Sequence, residues 1–225
     1  RYFRLIWPVV NDVVGVDRDP CTADAGLRSG VYREIHVADA HEVPELSETF
    51  DHVFANCTLG RMDHLDAVLA EAQRCLKPGG SLICSVVTDR FLQWNVLSNL
   101  VGMAGHAEAA ASLQKDFFEF HHLVNPLSAD EWQQRFRNAG LVPEVHIPIL
   151  PKFNSGIFLL MDCLWHVKVS SWGELGDTMY PFLLENPKFP RAFRSVISGL
   201  LEMETDWQDC SGAVFLVRKP LRATT

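Results

Sequence analysis

The sequence predicts an α/β fold in which a doubly wound, mostly parallel sheet carries helices on both faces. Short apolar runs, such as residues 13–16 and 81–87, are typical of strands that are buried on both faces of a parallel sheet. Strand-like runs also alternate with helix-like segments through short connections, as they do in βα units. Together these two observations indicate the fold class.

The first sixty residues contain five predicted elements. Apolar residues at positions 2, 3, 6, 9 and 10 fall on one helix face, and the first apolar run ends in the carboxylate of Asp17. Gly30 closes a brief helical pattern. The predicted elements are helices over residues 1–10 and 23–29, and strands over residues 13–17, 31–39 and 50–56.

Residues 63–76 form the clearest helical pattern of the chain. Its apolar residues recur on one face, and the following Lys-Pro-Gly-Gly run at 77–80 contains both helix breakers. We therefore expect a helix that ends before residue 80 and a fourth strand over residues 81–87.

The second half is predicted to be helical between two late strands. Residues 91–101 have a helical pattern, and Ser128 with Glu131 forms the signature of a capping box for a helix that ends at Gly140. Three prolines place the strand over 141–150 at or near an edge. The last strand covers residues 212–218.

More than fifty residues separate these two late strands, too many for a plain connection. They contain three aromatic-rich helical segments between residues 152 and 205. We therefore expect a sheet core formed by residues 1–150 and 210–220, with a helical cap over residues 152–205 that covers the substrate side.

Four motifs in register carry a family resemblance. They are Val-Gly-Val-Asp at 14–17, Ala-Asp-Ala at 38–40, the strand at 50–56 with its helix ending in Arg-Cys-Leu-Lys-Pro-Gly-Gly at 74–80, and the helix at 128–140 before a late strand. In this order the chain resembles a class I, Rossmann-like S-adenosylmethionine-dependent methyltransferase of the methyltransferase type 11-like kind. The resemblance implies S-adenosyl-L-methionine as the cofactor.

The resemblance also implies which residues bind this cofactor. Asp17 would accept both ribose hydroxyls, and Arg18 would stack on the adenine. Asp39 would accept the adenine amino group, while the backbone N–H of Ala40 meets a ring nitrogen. The end of the third strand, Asn56 and Cys57, would face the methionine part. Turn or capping roles for Asp17, Asp39 and Asn56, and a solvent-facing Arg18, remain open alternatives.

Two departures from the family pattern limit what carries over. Arg61 stands where many relatives have the histidine of a Leu-x-His tripeptide, so a role for that histidine is not transferred. The apolar first strand and glycine-rich loop of the family do not precede Arg1. Because loss of a central strand leaves buried backbone groups unpaired, we expect them upstream in a longer protein, and poor cofactor binding without them.

The chemistry of methyl transfer needs a base only if the acceptor starts protonated. His121 and His122 lie in an aromatic-rich segment after the fourth strand and titrate in a suitable range, so they are the candidate bases, with structural or exposed histidines as the alternative. The apolar cap fits a small apolar or lipid-linked acceptor. Core packing, or a homodimer formed through the cap, explains the same residues.

The composition of the chain limits the kinds of partner and location that we expect for it. Twenty Lys and Arg against 28 Asp and Glu give a net charge of −8, which argues against broad nucleic-acid binding. No apolar run is long enough to span a membrane. Six scattered cysteines lack zinc-ligand spacing and indicate free thiols in a reducing compartment. We therefore expect a cytoplasmic protein without a metal site.

Two rival functions remain at this stage. A nicotinamide-dependent oxidoreductase also has an acid at the end of its second strand, but it explains neither Ala-Asp-Ala at 38–40 nor the turn at 74–80. A methyltransferase-like domain that has lost its cofactor and serves as a scaffold is the second rival, supported by the absent glycine loop.

Overall fold

The computed structural model describes residues 12–168 and 173–222. Within them six strands and nine α-helices follow one another along the chain. The strands are β1 (Val14–Asp17), β2 (Glu34–Val37), β3 (Phe50–Asn56), β4 (Leu76–Val87), β5 (Val142–Pro151) and β6 (Cys210–Arg218). The helices are α1 (Pro20–Arg28), α2 (Leu65–Cys75), α3 (Asp89–Gln93), α4 (Val96–Met103), α5 (Ala107–His121), α6 (Ala129–Asn138), α7 (Lys152–Trp165), α8 (Leu175–Glu185) and α9 (Phe189–Glu202).

The strands form two groups among the described residues. β1 pairs with β2 in parallel, and the other four strands lie in the order β3-β4-β6-β5. β3 and β4 are parallel, whereas β6 runs antiparallel to both of its neighbours. The predicted α/β fold is confirmed, with β6 as the reversed strand of a mixed sheet. The predicted edge position of the proline-bearing strand β5 is also confirmed.

The main core lies on one face of the four-stranded sheet. Alternate residues of β4 (Leu82, Cys84, Val86) and β6 (Ala213, Phe215, Val217) point to this face and are fully buried, as the period of two in a strand requires. They pack against Leu69 of α2 and against Trp132 and Phe136 of α6. Each such large side chain contributes about 1.5–3 kcal/mol of burial free energy.

Local capping fixes the ends of the two core helices. The Lys219 ammonium donates to the carbonyls of Gln73 and Leu76 at 2.9 and 2.8 Å, so it satisfies groups that the end of α2 leaves without partners. Ser128 and Glu131 form the predicted capping box of α6. The predictions of both helices are confirmed within two residues of their ends.

A second cluster joins the first helix of the predicted cap to the rest of the chain. Phe91, Leu92, Phe117 and Leu159 come from α3, α5 and α7 and are buried together. The single helix predicted over 91–101 is wrong in detail, because α3 ends at Gln93 and a second helix begins at Val96. The Asn95 side chain accepts from the backbone N–H of Ser98 and caps a new helix, α4.

Two sequence predictions are not tested by this geometry. The helix over residues 1–10 lies outside the described residues, and the strand and glycine loop expected upstream of Arg1 stay a prediction. No helix of the described residues is long and apolar enough to cross a membrane.

Candidate functional site

The carboxyl ends of β1 and β2 carry the first candidate residues. Asp17 ends β1 and is half-buried, and its Oδ1 accepts from the backbone N–H of Asp19 at 2.9 Å. Asp39 follows β2 in an exposed turn. Because β1 and β2 are parallel neighbours, both carboxylates lie at the same edge of their sheet, where open α/β sheets bind ligands.

The Asp39 carboxylate is held in its charged form. Burial alone would raise the pKa of Asp39, but hydrogen bonds from the His41 ring and backbone, with the charges of His41 and Arg18, outweigh it and lower this pKa. The His41 ring nitrogen Nδ1 lies 2.6 Å from Asp39 Oδ1. The charge of Arg18, which is exposed, therefore helps to lower the pKa of Asp39, the carboxylate at the end of the neighbouring strand.

Ser85 organises the end of β3. Its hydroxyl donates to Asn56 Oδ1 at 2.6 Å. The backbone N–H of Cys57 donates both to the Ser85 carbonyl, at 2.9 Å, and to the Ser85 hydroxyl oxygen, at 3.0 Å. Cys57 has a φ of 52°, so the chain turns sharply at this point. Both Asn56 and the Cys57 thiol are exposed.

Contacts between loops bring the β2 and β3 ends to the same side. The rings of His41 and His64 meet edge to face at 5.4 Å, and His64 is the residue before α2, the first α-helix after β3. Ala40 packs against the main core. The loop that follows Asp39 and Ala40 therefore contacts the segment between β3 and α2.

The two candidate histidines have different surroundings. His121, the last residue of α5, is buried, and its Nε2 lies 3.0 Å from Asp162 Oδ2 of α7. The rings of Phe91, Phe117 and Phe120 surround it. His122 is the exposed C-cap of α5 with a φ of 50°.

The segment after His122 reaches the loop that follows Cys57. The backbone N–H groups of Val124 and Asn125 both donate to the carbonyl of Gly60, at 3.0 and 2.9 Å. The Asn125 side chain donates to the Leu59 and Met62 carbonyls. The structure thus brings the end of α5 next to the loop after β3, while His121 itself is engaged with the cap helix α7.

Arg74 of the turn motif is a structural residue. Its guanidinium donates to both oxygens of Glu71 and to the carbonyls of Val43 and Glu45, and Glu71 Oε1 accepts from the backbone N–H of Val43 at 2.8 Å. This network holds the segment between β2 and β3 against α2. Arg74 of this motif therefore has a packing role.

Sequence reasoning missed His41 and Ser85. His41 lies two residues after Asp39 in a turn, a spacing at which an Asp side chain often bonds its own neighbours, so a local signal existed. Ser85 lies 29 residues from Asn56 in sequence, and only the β3–β4 register places the two side by side.

Two other features lie away from this edge. A small cavity of about 60 Å³ beyond β4, lined by Thr88, Arg90, His146 and Asp209 among others, has room for a few waters only. Glu34, His36 and Glu45 bring three potential metal ligands together in the described part of the chain. The His36 nitrogen already lies 2.9 Å from Glu45, so the contact is explained without a metal.

Comparison with known proteins gives a family match for the first part of the chain. Residues 1–84 match the sequence profile of the family described as a methyltransferase domain. Over these residues the chain is similar to that family, and its fold is shared with solved class I, Rossmann-like methyltransferases. The predicted resemblance is confirmed, and S-adenosyl-L-methionine is the cofactor of this family.

Curated relatives match about half of the chain. The ubiquinone/menaquinone biosynthesis C-methyltransferase UbiE of Desulfotalea psychrophila is 34% identical over 121 residues, 49% of this chain and 46% of that protein. The 27-O-demethylrifamycin SV methyltransferase of Amycolatopsis mediterranei is 32% identical over 107 residues, 48% of this chain and 35% of its own length. The chain thus spans less than half the length of these relatives.

Solved structures share the fold over nearly the whole chain. The [4+2]-cyclase SpnF superposes with a TM-score of 0.57 and 16% identity, covering 98% of this chain and 70% of that one. The geranyl diphosphate C-methyltransferase of Streptomyces coelicolor A3(2), solved with Mg²⁺, geranyl diphosphate and S-adenosyl-L-homocysteine, gives 0.54 and 14%, covering 97% and 67%. At these identities the likeness shows the fold alone.

Proposed function

We propose that the protein transfers a methyl group from S-adenosyl-L-methionine to a small-molecule acceptor that is apolar or lipid-linked. The observation that carries the proposal is the pair of carboxylates, Asp17 and Asp39, at the ends of two neighbouring parallel strands. The alternative is a methyltransferase-like domain that acts as a scaffold without the cofactor.

The described residues fit the nucleoside part of the cofactor. Asp17 uses one carboxylate oxygen for a backbone N–H, which leaves the other as an acceptor for ribose hydroxyls. Asp39 is a charged acceptor for the adenine amino group, and the Ala40 backbone N–H follows it as a donor. Arg18, with its charge near Asp39, can lay its planar guanidinium on the adenine ring.

Asn56 and Cys57 fit the methionine part. Since Ser85 donates to the amide oxygen of Asn56, the amide nitrogen is oriented as a donor for a carboxylate. An arrangement that fixes which end of the amide points outward suits a ligand with one charged carboxylate. Cys57 contributes an exposed turn whose backbone can approach the bound cofactor closely.

S-adenosyl-L-methionine, when bound, supplies an electrophilic methyl group on a sulfonium. The chain has to place the acceptor atom in line with that methyl group and exclude water, which accounts for much of the rate of such displacements. Where the acceptor carries a proton, a base must take it. We propose His122 for this task, because it is exposed, whereas His121 is engaged with Asp162 and fixes the end of α5.

The cap supports an apolar acceptor. Its helices expose many large apolar side chains, among them Phe158, Met161, Leu164 and Tyr180. Relatives and fold neighbours named for ubiquinone, menaquinone and geranyl diphosphate have acceptors with isoprenoid character. The net charge of −8 favours such a molecule over a nucleic acid.

The cysteines bear on where the protein is located. All six cysteines are free thiols, and burial raises the pKa of Cys84 to about 12 and of Cys210 to about 11, so these two are unreactive. Free thiols favour a reducing compartment such as the cytoplasm. We propose that two copies associate through the cap.

Titration calorimetry with S-adenosyl-L-methionine on the protein at its full length tests the proposal. We expect Asp17→Ala to weaken the cofactor more than about tenfold, since a charged acceptor of two hydroxyls is lost. Asp116→Ala, an exposed carboxylate on α5, serves as the control and should bind normally. Absence of binding at millimolar cofactor in the folded protein would favour the scaffold, and binding of a nicotinamide dinucleotide instead would favour the oxidoreductase.

A screen of candidate acceptors then identifies the substrate class. We expect methyl incorporation into isoprenoid or quinone-like molecules, measured by mass spectrometry. If binding of the cofactor is intact and only polar acceptors are methylated, the apolar part of the proposal is wrong while methyl transfer stands.

A further inference from the structure

The turn after β2 leaves Asp39 with one occupied and one open carboxylate oxygen. Its Oδ1 accepts from the backbone N–H of His41 at 3.3 Å and lies 2.6 Å from the ring nitrogen Nδ1 of the same residue. Within the described part of the chain, its Oδ2 has no hydrogen-bond partner. Since a carboxylate oxygen has two acceptor positions, His41 alone fills Oδ1. The Asp39 side chain is 46% exposed, so a ligand can reach Oδ2.

The backbone of this turn is held without the His41 ring. The backbone N–H of Glu42 donates to the Asp39 carbonyl at 3.0 Å and closes the turn. The next backbone N–H, that of Val43, donates to Glu71 Oε1 at 2.8 Å and fixes the chain against α2. Neither contact involves the imidazole. The contact between the ring and Asp39 therefore acts on the direction of the carboxylate and not on the path of the chain.

A second histidine holds the His41 ring from the other side of the loop. The ring centroids of His41 and His64 are 5.4 Å apart and the ring planes meet at 75°, an arrangement that aromatic pairs favour. His64 belongs to a different segment, the one that leads into α2. The His41 ring can turn away from Asp39 only by giving up this contact.

The charge of Asp39 decides what Oδ2 can bind. Burial raises the pKa of Asp39, but the hydrogen bonds from His41, with the charges of His41 and Arg18, outweigh it and lower this pKa. An ionised carboxylate can only accept hydrogen bonds, so the hydrogen of the contact belongs to His41 Nδ1. Oδ2 is then an acceptor for an N–H group, and it repels a carbonyl oxygen.

We propose that His41 is the positioning residue for Asp39 in the recognition of the purine base. By holding Oδ1, it presents Oδ2 to the base and favours a purine with a 6-amino group over a purine with a 6-oxo group. The 6-oxo group would oppose two acceptors with no hydrogen between them, which costs free energy in a site built for a donor. The inference rests on the proposed function, in which Asp39 accepts the adenine amino group.

Titration calorimetry on the full-length protein with two nucleosides tests this inference. The probes are S-adenosyl-L-homocysteine and S-inosyl-L-homocysteine, in which a carbonyl oxygen replaces the 6-amino group. We expect the wild type to prefer the adenine compound by about tenfold or more. His41→Leu has a side chain of similar size without a donor, and it should reduce this preference about fivefold, as expected for a partly exposed charge-assisted hydrogen bond.

A conservative variant separates positioning from packing. His41→Asn places an amide N–H where Nδ1 stands and should return the preference to within about twofold of the wild type. The matched control is His166→Leu, because His166 Nδ1 lies 2.6 Å from Glu174 in the predicted cap and its side chain is 30% exposed. This control should leave the preference unchanged. Circular dichroism establishes that all three variants are folded.

The two affinities distinguish the possible failures. If His41→Leu weakens both nucleosides equally, or if His41→Asn does not restore the preference, the ring only packs the turn and the inference is overturned. A preference for adenine that survives in His41→Leu overturns it as well, while the proposed function stands. A folded wild type that binds neither nucleoside contradicts the proposed function, and the inference falls with it.

Discussion

At the scale of the residue, Arg74 shows how one side chain can organise a whole connection. Its guanidinium contacts Glu71 on its own helix and the carbonyls of Val43 and Glu45 at 3.1 and 2.9 Å in the segment before β3. The planar fork of Arg reaches several acceptors at once, which a lysine ammonium does not. The connection that positions Asp39 and His41 thus depends on a residue outside the site.

Arg74→Lys should lower the free energy of unfolding by about 2 kcal/mol, because charge-assisted hydrogen bonds to three groups are lost or weakened. Urea unfolding followed by circular dichroism measures this change. Arg137→Lys, an exposed arginine of α6 bonded to Gln133, is the control and should be neutral. Equal stability of the two variants would show that the network does not hold the connection.

His122→Gln should lower kcat by about 100-fold, the contribution expected of a general base, with the affinity for the cofactor unchanged. His121→Gln should act differently, since it removes the contact with Asp162 and therefore lowers stability. A full rate in folded His122→Gln would exclude this residue as the base.

At the scale of the element, two helices of the predicted cap, α7 and α8, meet through Trp165 and Gly176. The Trp165 ring at the end of α7 occupies the space where a Cβ on Gly176 of α8 would stand. The N-terminal end of α8 can approach α7 this closely only because residue 176 has no side chain. The chain between them is further held by His166, whose Nδ1 lies 2.6 Å from Glu174.

Gly176→Ala should destabilise the cap by about 1–3 kcal/mol, the usual cost of overpacking. Unfolding followed by tryptophan fluorescence and limited proteolysis of the cap measure it. Gly102→Ala is the matched control, because its new Cβ would lie 3.5 Å from that of Ala110, an ordinary contact, and alanine favours a helix. Resistance of the Gly176→Ala cap to protease equal to that of the wild type would contradict the contact.

Other elements show which helix boundaries can be predicted from local sequence. The capping box of α6 was predictable because Ser128 and Glu131 are one turn apart, so their contacts depend on local backbone alone. The break between α3 and α4 was not predicted, although Asn95 is a favourable N-cap. The apolar pattern continues on both sides of Asn95, so it predicts one helix where the structure has two.

At the scale of the whole molecule, the carboxylates respond to acid together. The pKa values of Asp39, Glu71 and Glu131 are lowered by hydrogen bonds from neighbouring groups that outweigh desolvation. A carboxylate whose pKa is lowered by folding contributes stability that is present above its ordinary pKa and is lost as the pH falls through its folded value. Acid therefore weakens several connections at once.

The free energy of unfolding should be nearly flat above the ordinary glutamate pKa of 4.5 and decrease steadily below it. Glu71→Gln should reduce the stability at neutral pH and make the decrease in acid shallower, because hydrogen bonds from Arg74 are the chief cause of the low pKa of Glu71. Denaturant unfolding over a pH series measures both. Glu119→Gln, an exposed residue of α5, should not change the slope.

The sequence by itself determined the fold class and most of the strands and helices, because periodicity, caps and breakers act within about one turn or one strand. Only the tertiary structure decided which side chains meet. Ser85 reaches Asn56 through strand register, and His121 reaches Asp162 across 41 residues of chain. Such contacts depend on how whole elements pack, and the local pattern of neither partner specifies the other.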